Sequence, residues 1–189
     1  MSTWATCSSL LLGIALIGAV PRAAGAQLSL QEALGTAFPP PAKVERRTAF
    51  LTPAQLDTAR REAGPDVTVD QSVVSYYLAT RDGVPIGVAY FDSHRVRTLN
   101  EVLMITVGPD DTVQRIEVLR FAEPPEYHPR DGWLAQFQGH SLAPELSLKG
   151  SISAMTGATL TSNAVTRAVR RVLALHRVIH PLMPSAAAP

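Results

Sequence analysis

Apolar positions follow a strand period in the middle of the chain. From Ser72 to Phe121 they alternate or run continuously in four segments, which predicts four β-strands. Asp82-Gly83 separates the first two segments, and the turn residues 108–111 (GPDD) separate the last two. Such turns between apolar runs are typical of hairpins. We therefore expect an antiparallel sheet of two hairpins.

Near the end of the chain the apolar period becomes helical. Residues 162–179 place their apolar side chains on one face of a predicted amphipathic helix: Val165, Ala168, Val169, Val172, Leu175 and Ile179. Arg167, Arg170 and Arg171 fall elsewhere on this helix, and we expect them to form a solvated face.

Capping patterns predict two earlier helices. Residues 29–32 (SLQE) have the capping-box form and begin a short helix that residues 39–41 (PPP) end. Residues 52–55 (TPAQ) supply an N-cap and a proline at the first helical position, and Gly64-Pro65 ends that helix. A short strand over residues 43–51 separates the two helices.

Three further segments complete the prediction. Residues 92–98 are polar and cationic, and we expect them to connect the hairpins. Residues 123–129 are rich in proline and predict a loop, which a short helix over residues 131–138 follows. Residues 181–189 predict a flexible tail. The fold class is α+β, with helices flanking the sheet and an amphipathic helix at the C-terminus.

The first 26 residues resemble a secretory signal peptide. An apolar run over residues 10–20 is short for a bilayer span, and Ala24 and Ala26 fit a cleavage site. No Lys or Arg precedes the run, so an uncleaved anchor stays open as an alternative. The prediction is an exported protein, in the periplasm or at the extracytoplasmic face of the membrane. Cys7, the single cysteine, would leave with the peptide, and the domain over residues 27–180 would have no disulfide.

Charge weighs against one class of function. The chain has 17 Lys and Arg against 16 Asp and Glu, a formal net charge of +1. A nucleic-acid-binding protein usually carries a clear basic excess. We therefore expect no nucleic-acid partner.

The segment with the clearest chemistry lies just before the final helix. Residues 156–162 (TGATLTS) place four hydroxyl side chains among glycine and alanine. Hydroxyl groups, backbone N–H groups and the positive end of a helix together bind phosphate. The alternative is an ordinary helix start with Thr161 or Ser162 as the N-cap. The residues alone leave both interpretations open.

The same seven residues resemble the S/T-G-A-T-x-T-S signature of the FMN-binding domain family. This family includes the extracytoplasmic flavin subunits of the sodium-pumping NADH:quinone reductase and of Rnf complexes. In those proteins a flavin transferase attaches the phosphate of FMN, taken from FAD, to the last threonine of the tetrad, which is Thr159 here. The resemblance implies an electron carrier or redox subunit with FMN as cofactor, a flavin transferase and a membrane-bound redox partner. It also implies these cofactor-binding residues: Thr156, Gly157, Ala158, Thr159, Thr161 and Ser162.

One position departs from the signature. The family's motif usually has Asp six residues before the acceptor threonine, where this chain has Ser153. Serine supplies neither the charge nor the metal-binding capacity of a carboxylate. The alternative hypothesis is therefore a module that binds FMN non-covalently or has lost the cofactor. A flavin-dependent reductase is a third hypothesis, for which no residue set specifies a substrate.

Other side chains are candidates for the surroundings of the flavin. Arg95, Arg97 and His94 would stabilise a phosphate or a reduced flavin, or else belong to a solvated connection. Glu126 carries the same ambiguity. Six aromatic residues are candidates for a flat wall, although most are expected in the core: Tyr76, Tyr77, Tyr90, Phe91, Tyr127 and Trp133. His176 and His180 have a spacing that a metal site can use, which we interpret as incidental.

Overall fold

The computed structural model describes residues 28–183, so the predicted signal peptide lies outside the described residues. The described part forms one antiparallel sheet whose five strands are neighbours in chain order. The elements are α1 (Leu30–Ala37), β1 (Lys43–Phe50), α2 (Pro53–Ala63), β2 (Val73–Arg81), β3 (Val84–Arg95), β4 (Asn100–Val107), β5 (Val113–Phe121), α3 (Asp131–Leu134) and α4 (Thr159–Ile179). The predicted α+β class is confirmed.

Both early helices begin as their capping patterns predict. At α1 the backbone N–H of Glu32 donates to the Ser29 hydroxyl at 3.2 Å, and the Glu32 carboxylate accepts from the Ser29 backbone at 2.9 Å. At α2, Thr52 and Gln55 make the same reciprocal pair. Each pair satisfies N–H groups that a helix start leaves without partners.

The sheet contains one strand more than the two predicted hairpins. Asp82 and Gly83 form the first tight turn with φ of 52° and 79°, the left-handed values that a two-residue hairpin turn requires. β1 joins at the edge of β2, with Lys43 opposite Thr80 and Phe50 opposite Val73. The strand expected over residues 43–51 therefore belongs to the same sheet.

Helices cover the two faces of the sheet and create two cores. α2 and α4 cover one face, and the core there contains Val88 and Tyr90 of β3. α1 covers the opposite face, where Ala89 and Phe91 of β3 face a smaller core. Alternate side chains of a strand point to opposite faces, so β3 contributes to both cores.

Two element boundaries differ from the prediction. α4 begins at Thr159 rather than at residue 162, because Ala158 accepts the first helical hydrogen bond, from the Ser162 N–H at 3.0 Å. β3 continues through Arg95, so the first half of residues 92–98 is strand rather than connection. The polar residues of this stretch are compatible with a strand since buried charged partners surround them.

The remaining segments are short. Pro125–Tyr127 forms a single 3-10 turn inside the proline-rich loop. α3 and a following 3-10 turn, Ala135–Phe137, account for the helix predicted over residues 131–138. Leu182 packs against the larger core, while residues 184–189 lie outside the described part of the chain. Between residues 28 and 183, no helix is long and apolar enough to cross a membrane.

Candidate functional site

The start of α4 differs from the starts of α1 and α2 because no side chain caps it. Ala158 is the N-cap residue and makes no side-chain hydrogen bond to the first turn. Gly157 precedes it with φ of 78°, a left-handed conformation that other residues adopt only with strain. Thr159 is the first helical residue, and it is exposed. The positive end of α4 is thus open to a ligand.

Ser162 closes the loop onto the helix. Its hydroxyl accepts from the Met155 N–H at 2.9 Å and donates to the Ala158 carbonyl at 3.1 Å. Because Ser162 is completely buried, these two bonds hold the loop in its conformation. Among the predicted cofactor-binding residues, Ser162 is therefore a buried residue that holds the loop in place.

A cleft of about 340 Å³ opens beside this loop. Of the predicted residues, Gly157, Ala158, Thr159 and Thr161 line it, whereas Thr156 is exposed outside it. The other lining residues are Leu160, Arg97 and Tyr127. The fold thus brings one cationic and one aromatic candidate to the start of α4.

Thr161 contributes a buried polar group to the cleft. Only 1% of the residue is exposed, although it lines the cleft. Thr161 is therefore placed to contact a polar ligand that occupies the cleft.

Arg97 and Tyr127 form a contact that their positions in the sequence did not reveal. The Arg97 guanidinium carbon lies 5.1 Å from the centroid of the Tyr127 ring, within the range of a cation–π interaction. Arg97 comes from the turn between β3 and β4, and Tyr127 from the proline-rich loop. Tertiary structure alone brings them together.

Glu123 is a residue of the site that sequence reasoning missed. Its Oε1 accepts three backbone N–H bonds, from Arg97 at 3.1 Å, Thr98 at 2.7 Å and Leu99 at 2.8 Å. These bonds, with those from Leu99 and Thr98 the strongest, lower the pKa of the Glu123 carboxyl. Its single sequence signal was a carboxylate beside two prolines, which points to no particular partner.

A second cleft, of about 230 Å³, lies along α4. Leu160, which is 53% exposed, lines both clefts. His94, Arg95, Arg167 and Arg171 also line the second one. The cationic candidates from the sequence therefore divide between two neighbouring clefts, with Arg97 in the first.

Behind the second cleft lies a buried network of four charged groups. His94 bonds through Nδ1 to Asp92 at 2.9 Å and through Nε2 to Glu101 at 3.0 Å. Burial lowers the pKa of His94, but the hydrogen bonds and charges of Asp92 and Glu101 outweigh it and raise the pKa to about 9. Burial raises the pKa of Asp92, yet the hydrogen bonds from His94 and Arg171 lower it overall. His94 is therefore protonated at neutral pH, because both of its partners are carboxylates.

The prediction of a solvated arginine face on α4 is wrong for two of its three members. Arg170 donates to the carbonyls of Ala63 at 2.8 Å and Ala143 at 2.7 Å, and Arg171 binds Asp92. Only Arg167 of the three is exposed. Periodicity separates apolar from polar positions, but it does not show which polar groups find buried partners.

Most of the remaining candidates have structural roles. Tyr90 is buried in the larger core and bonds to His176 Nδ1 at 3.0 Å. His176 Nε2 bonds to Asp111 at 3.1 Å, and between residues 28 and 183 no three or more His, Cys, Asp or Glu residues are grouped so that they could hold a metal ion. Tyr127 is the one aromatic candidate that lines the cleft at the start of α4.

Ser153 is held by its backbone and presents its side chain outward. Its N–H donates to Gln136 Oε1 at 2.9 Å, and its carbonyl accepts from Trp133 Nε1 at 2.6 Å. The residue is exposed. The position where the signature usually has Asp is therefore fixed in place and accessible to another protein.

Comparison with known proteins gives one family. The chain matches none of the curated proteins searched. The model of the FMN-binding domain family matches residues 100–174, from β4 through most of α4. The match includes Glu123, Tyr127 and the whole loop before α4. Residues 100–174 therefore match the FMN-binding domain family, and this match indicates FMN as the cofactor.

Proposed function

We propose that the protein is an exported electron carrier whose FMN is tethered through its phosphate to Thr159. One observation carries the proposal: Thr159 is exposed at the uncapped start of α4, in a cleft that also contains Arg97. A helix N-terminus and a guanidinium both stabilise phosphate. Thr161 lines the same cleft.

The attachment step requires only a hydroxyl from this chain. The Thr159 oxygen forms a bond to the phosphorus of the FMN half of FAD while the pyrophosphate bond breaks. The hydroxyl proton is released and AMP leaves, so the protein gains the mass of FMN less water. A flavin transferase would supply the catalysis.

The residues of the chain would hold and orient the cofactor. When bound, FMN supplies the redox chemistry. Thr161 and the first turn of α4 would hold the phosphate, and Ser162 would keep the loop in its conformation. Leu160 offers exposed apolar surface between the two clefts. An open site of this kind suits exchange of electrons with another protein.

The location and partners are proposed from the sequence. The predicted signal peptide over residues 1–26 supports export to the periplasm or the extracytoplasmic face of the membrane. A carrier in that place would exchange electrons with a membrane-bound redox partner. The flavin transferase would act on the exported, folded chain.

The test is the intact mass of the protein exported from a host that has the flavin transferase. We expect a chain that begins at residue 27 and carries FMN less water, with the adduct on the peptide that contains Thr159. Thr159→Ala should remove the adduct. Thr48→Ala is the matched control, because it removes an exposed threonine hydroxyl on β1, outside both the signature and the cleft.

Ser153 supports a second candidate function, a domain that binds FMN without a covalent bond or has lost it. A serine at this exposed position gives the transferase no carboxylate to recognise. An unmodified mass with yellow colour released on denaturation would indicate non-covalent FMN. An unmodified and colourless protein after incubation with FMN would indicate a module without cofactor.

A further inference from the structure

We propose that Arg97 binds the phosphate of FMN and that Glu123 is the positioning residue that holds Arg97 at the cleft. The inference rests on the proposed function, because it assigns two residues to the phosphate of the same cofactor. It goes beyond it by naming a cation from the β3–β4 turn and a carboxylate from the following loop, neither of which belongs to the loop before α4.

Glu123 fixes the backbone of the β3–β4 turn. The Val96 N–H donates to the Leu99 carbonyl at 3.1 Å and closes the turn. The next three N–H groups, from Arg97 to Leu99, all point at Glu123 Oε1. Successive N–H groups of this kind form an anion-binding concavity. Here the chain's own carboxylate occupies it, so the turn is rigid and the concavity is closed to a ligand.

Tyr127 then limits the conformations of the Arg97 side chain. The guanidinium lies over the Tyr127 ring, and both residues line the cleft with Thr159 and Thr161. Between residues 28 and 183 the Arg97 guanidinium forms no salt bridge, although its charge helps to lower the pKa of the Glu123 carboxyl. Its charge and its planar set of donors are thus available to a phosphate, which such a fork binds through two hydrogen bonds.

The other arginines near α4 are placed differently. Arg95 and Arg167 line the second cleft. The charge of Arg171 is paired with Asp92, and the Arg170 guanidinium donates to backbone carbonyls. Of the arginines that line the two clefts, only Arg97 shares its cleft with Thr159 and Thr161.

The test compares FMN with riboflavin, which lacks the phosphate. In a Thr159→Ala background, each flavin is titrated into the apo protein and its dissociation constant is measured by fluorescence. We expect Arg97→Gln to weaken FMN binding about tenfold to a hundredfold, the usual range for a hydrogen bond to a charged group. Riboflavin affinity should not change. The matched control is Arg120→Gln, which makes the same charge change at an exposed arginine outside both clefts.

The role of Glu123 is tested by combining variants. Glu123→Gln should weaken FMN binding and leave riboflavin unchanged, because the neutral amide accepts the three backbone N–H bonds less strongly. Tighter FMN binding would show that the carboxylate acts through its charge on the phosphate and would overturn its positioning role. Added to Arg97→Gln, Glu123→Gln should weaken FMN binding little further, since both act on one interaction. A carboxylate that served only the stability of the fold would instead reduce both flavin affinities, with or without Arg97.

Each outcome decides one assignment. A wild-type affinity for FMN no greater than for riboflavin, or equal losses from Arg97→Gln and Arg120→Gln, overturns the Arg97 site. If the protein gains the FMN mass at Thr159 but shows either of these results, the covalent attachment is confirmed and the role of Arg97 is rejected. If FMN binds more tightly than riboflavin because of Arg97 but the protein never gains the FMN mass, only the covalent attachment is rejected.

Discussion

The guanidinium of Arg171 binds the carboxylate of Asp92 through two hydrogen bonds, Nε to Oδ2 and Nη2 to Oδ1, each 2.7 Å long. The pair joins the middle of α4 to β3, where Asp92 is buried and the Arg171 side chain is 13% exposed. A paired contact of this geometry is directional and strong. It fixes how α4, whose first turn carries Thr159, lies against the sheet.

Removing one side of this pair should destabilise the protein strongly. Asp92→Asn leaves the charge of Arg171 buried and unbalanced, and we expect a loss of about 3–5 kcal/mol in the free energy of unfolding. Chemical denaturation measures it. The control is Asp57→Asn, whose partner Arg60 is largely exposed and whose loss should cost about 1 kcal/mol or less. Equal losses in the two variants would contradict the structural role of Asp92.

The His94 network should make stability fall at alkaline pH. The folded protein holds the His94 proton to a pKa of about 9, against 6.5 for an unperturbed histidine. The stabilisation is therefore complete below pH 6.5 and is lost as the pH rises through about 9, an effect of about 3 kcal/mol. His94→Gln should flatten the dependence of the unfolding free energy on pH across this range. An NMR titration that places the His94 pKa near 6.5 would contradict the prediction.

The buried hydrogen bond between the Tyr90 hydroxyl and His176 Nδ1 should stabilise the folded protein. The Asp111 carboxylate can only accept, so His176 Nε2 carries the hydrogen and Nδ1 accepts from the Tyr90 hydroxyl. Tyr90→Phe leaves Nδ1 unpaired and should cost about 1–3 kcal/mol. Tyr77→Phe is the control, because among residues 28–183 nothing hydrogen-bonds to the Tyr77 hydroxyl. Thermal or chemical unfolding of the two variants decides the matter.

A carboxylate at position 153 should increase modification by the flavin transferase. Ser153 is exposed and held through its backbone, so Ser153→Asp should change stability by no more than about 0.5 kcal/mol. We expect it to raise the initial rate of FMN attachment. Ser153→Asn has nearly the same shape without the charge and should leave the rate unchanged. An equal rate in all three proteins would show that the transferase does not read this position.

Gly157 should be needed for its backbone conformation. Its φ of 78° favours glycine, while space surrounds the position of an added Cβ. Gly157→Ala should therefore cost about 1–2 kcal/mol through strain alone and reduce FMN attachment. Gly132→Ala also meets open space but has no positive φ, and it should leave both properties unchanged or raise stability slightly. Unfolding and intact-mass measurements on the pair separate strain from crowding.

Local signals predicted most of the fold. The capping boxes at Ser29 and Thr52 and the Asp82-Gly83 turn depend on neighbours in the chain, and all three appear in the structure. The predicted sheet lacked one strand, β1, which pairs with β2 although α2 lies between them in the chain. The periodicity of apolar residues does not indicate which strands pair across an intervening helix.

The candidate site was predicted in part for the same reason. The loop before α4 is contiguous in sequence, and its hydroxyl residues identified it. The contact of Arg97 with Tyr127 and the bonds of Glu123 to the β3–β4 turn join segments that only the tertiary structure brings together. Charge alone could not separate Arg97, which lines the cleft, from Arg171, which is paired with a buried carboxylate.

Alternate side chains of β3 face the two cores, so the position of α4 depends on the register of this strand. Phe91 points to the α1 face, and Asp92 meets Arg171 of α4 on the other. A slip of one residue in this strand would exchange the two faces, moving a carboxylate under α1 and leaving Arg171 against a phenyl ring. Such a shift in the register of β3 would therefore separate Asp92 from Arg171 even though every residue of the loop before α4 stayed the same.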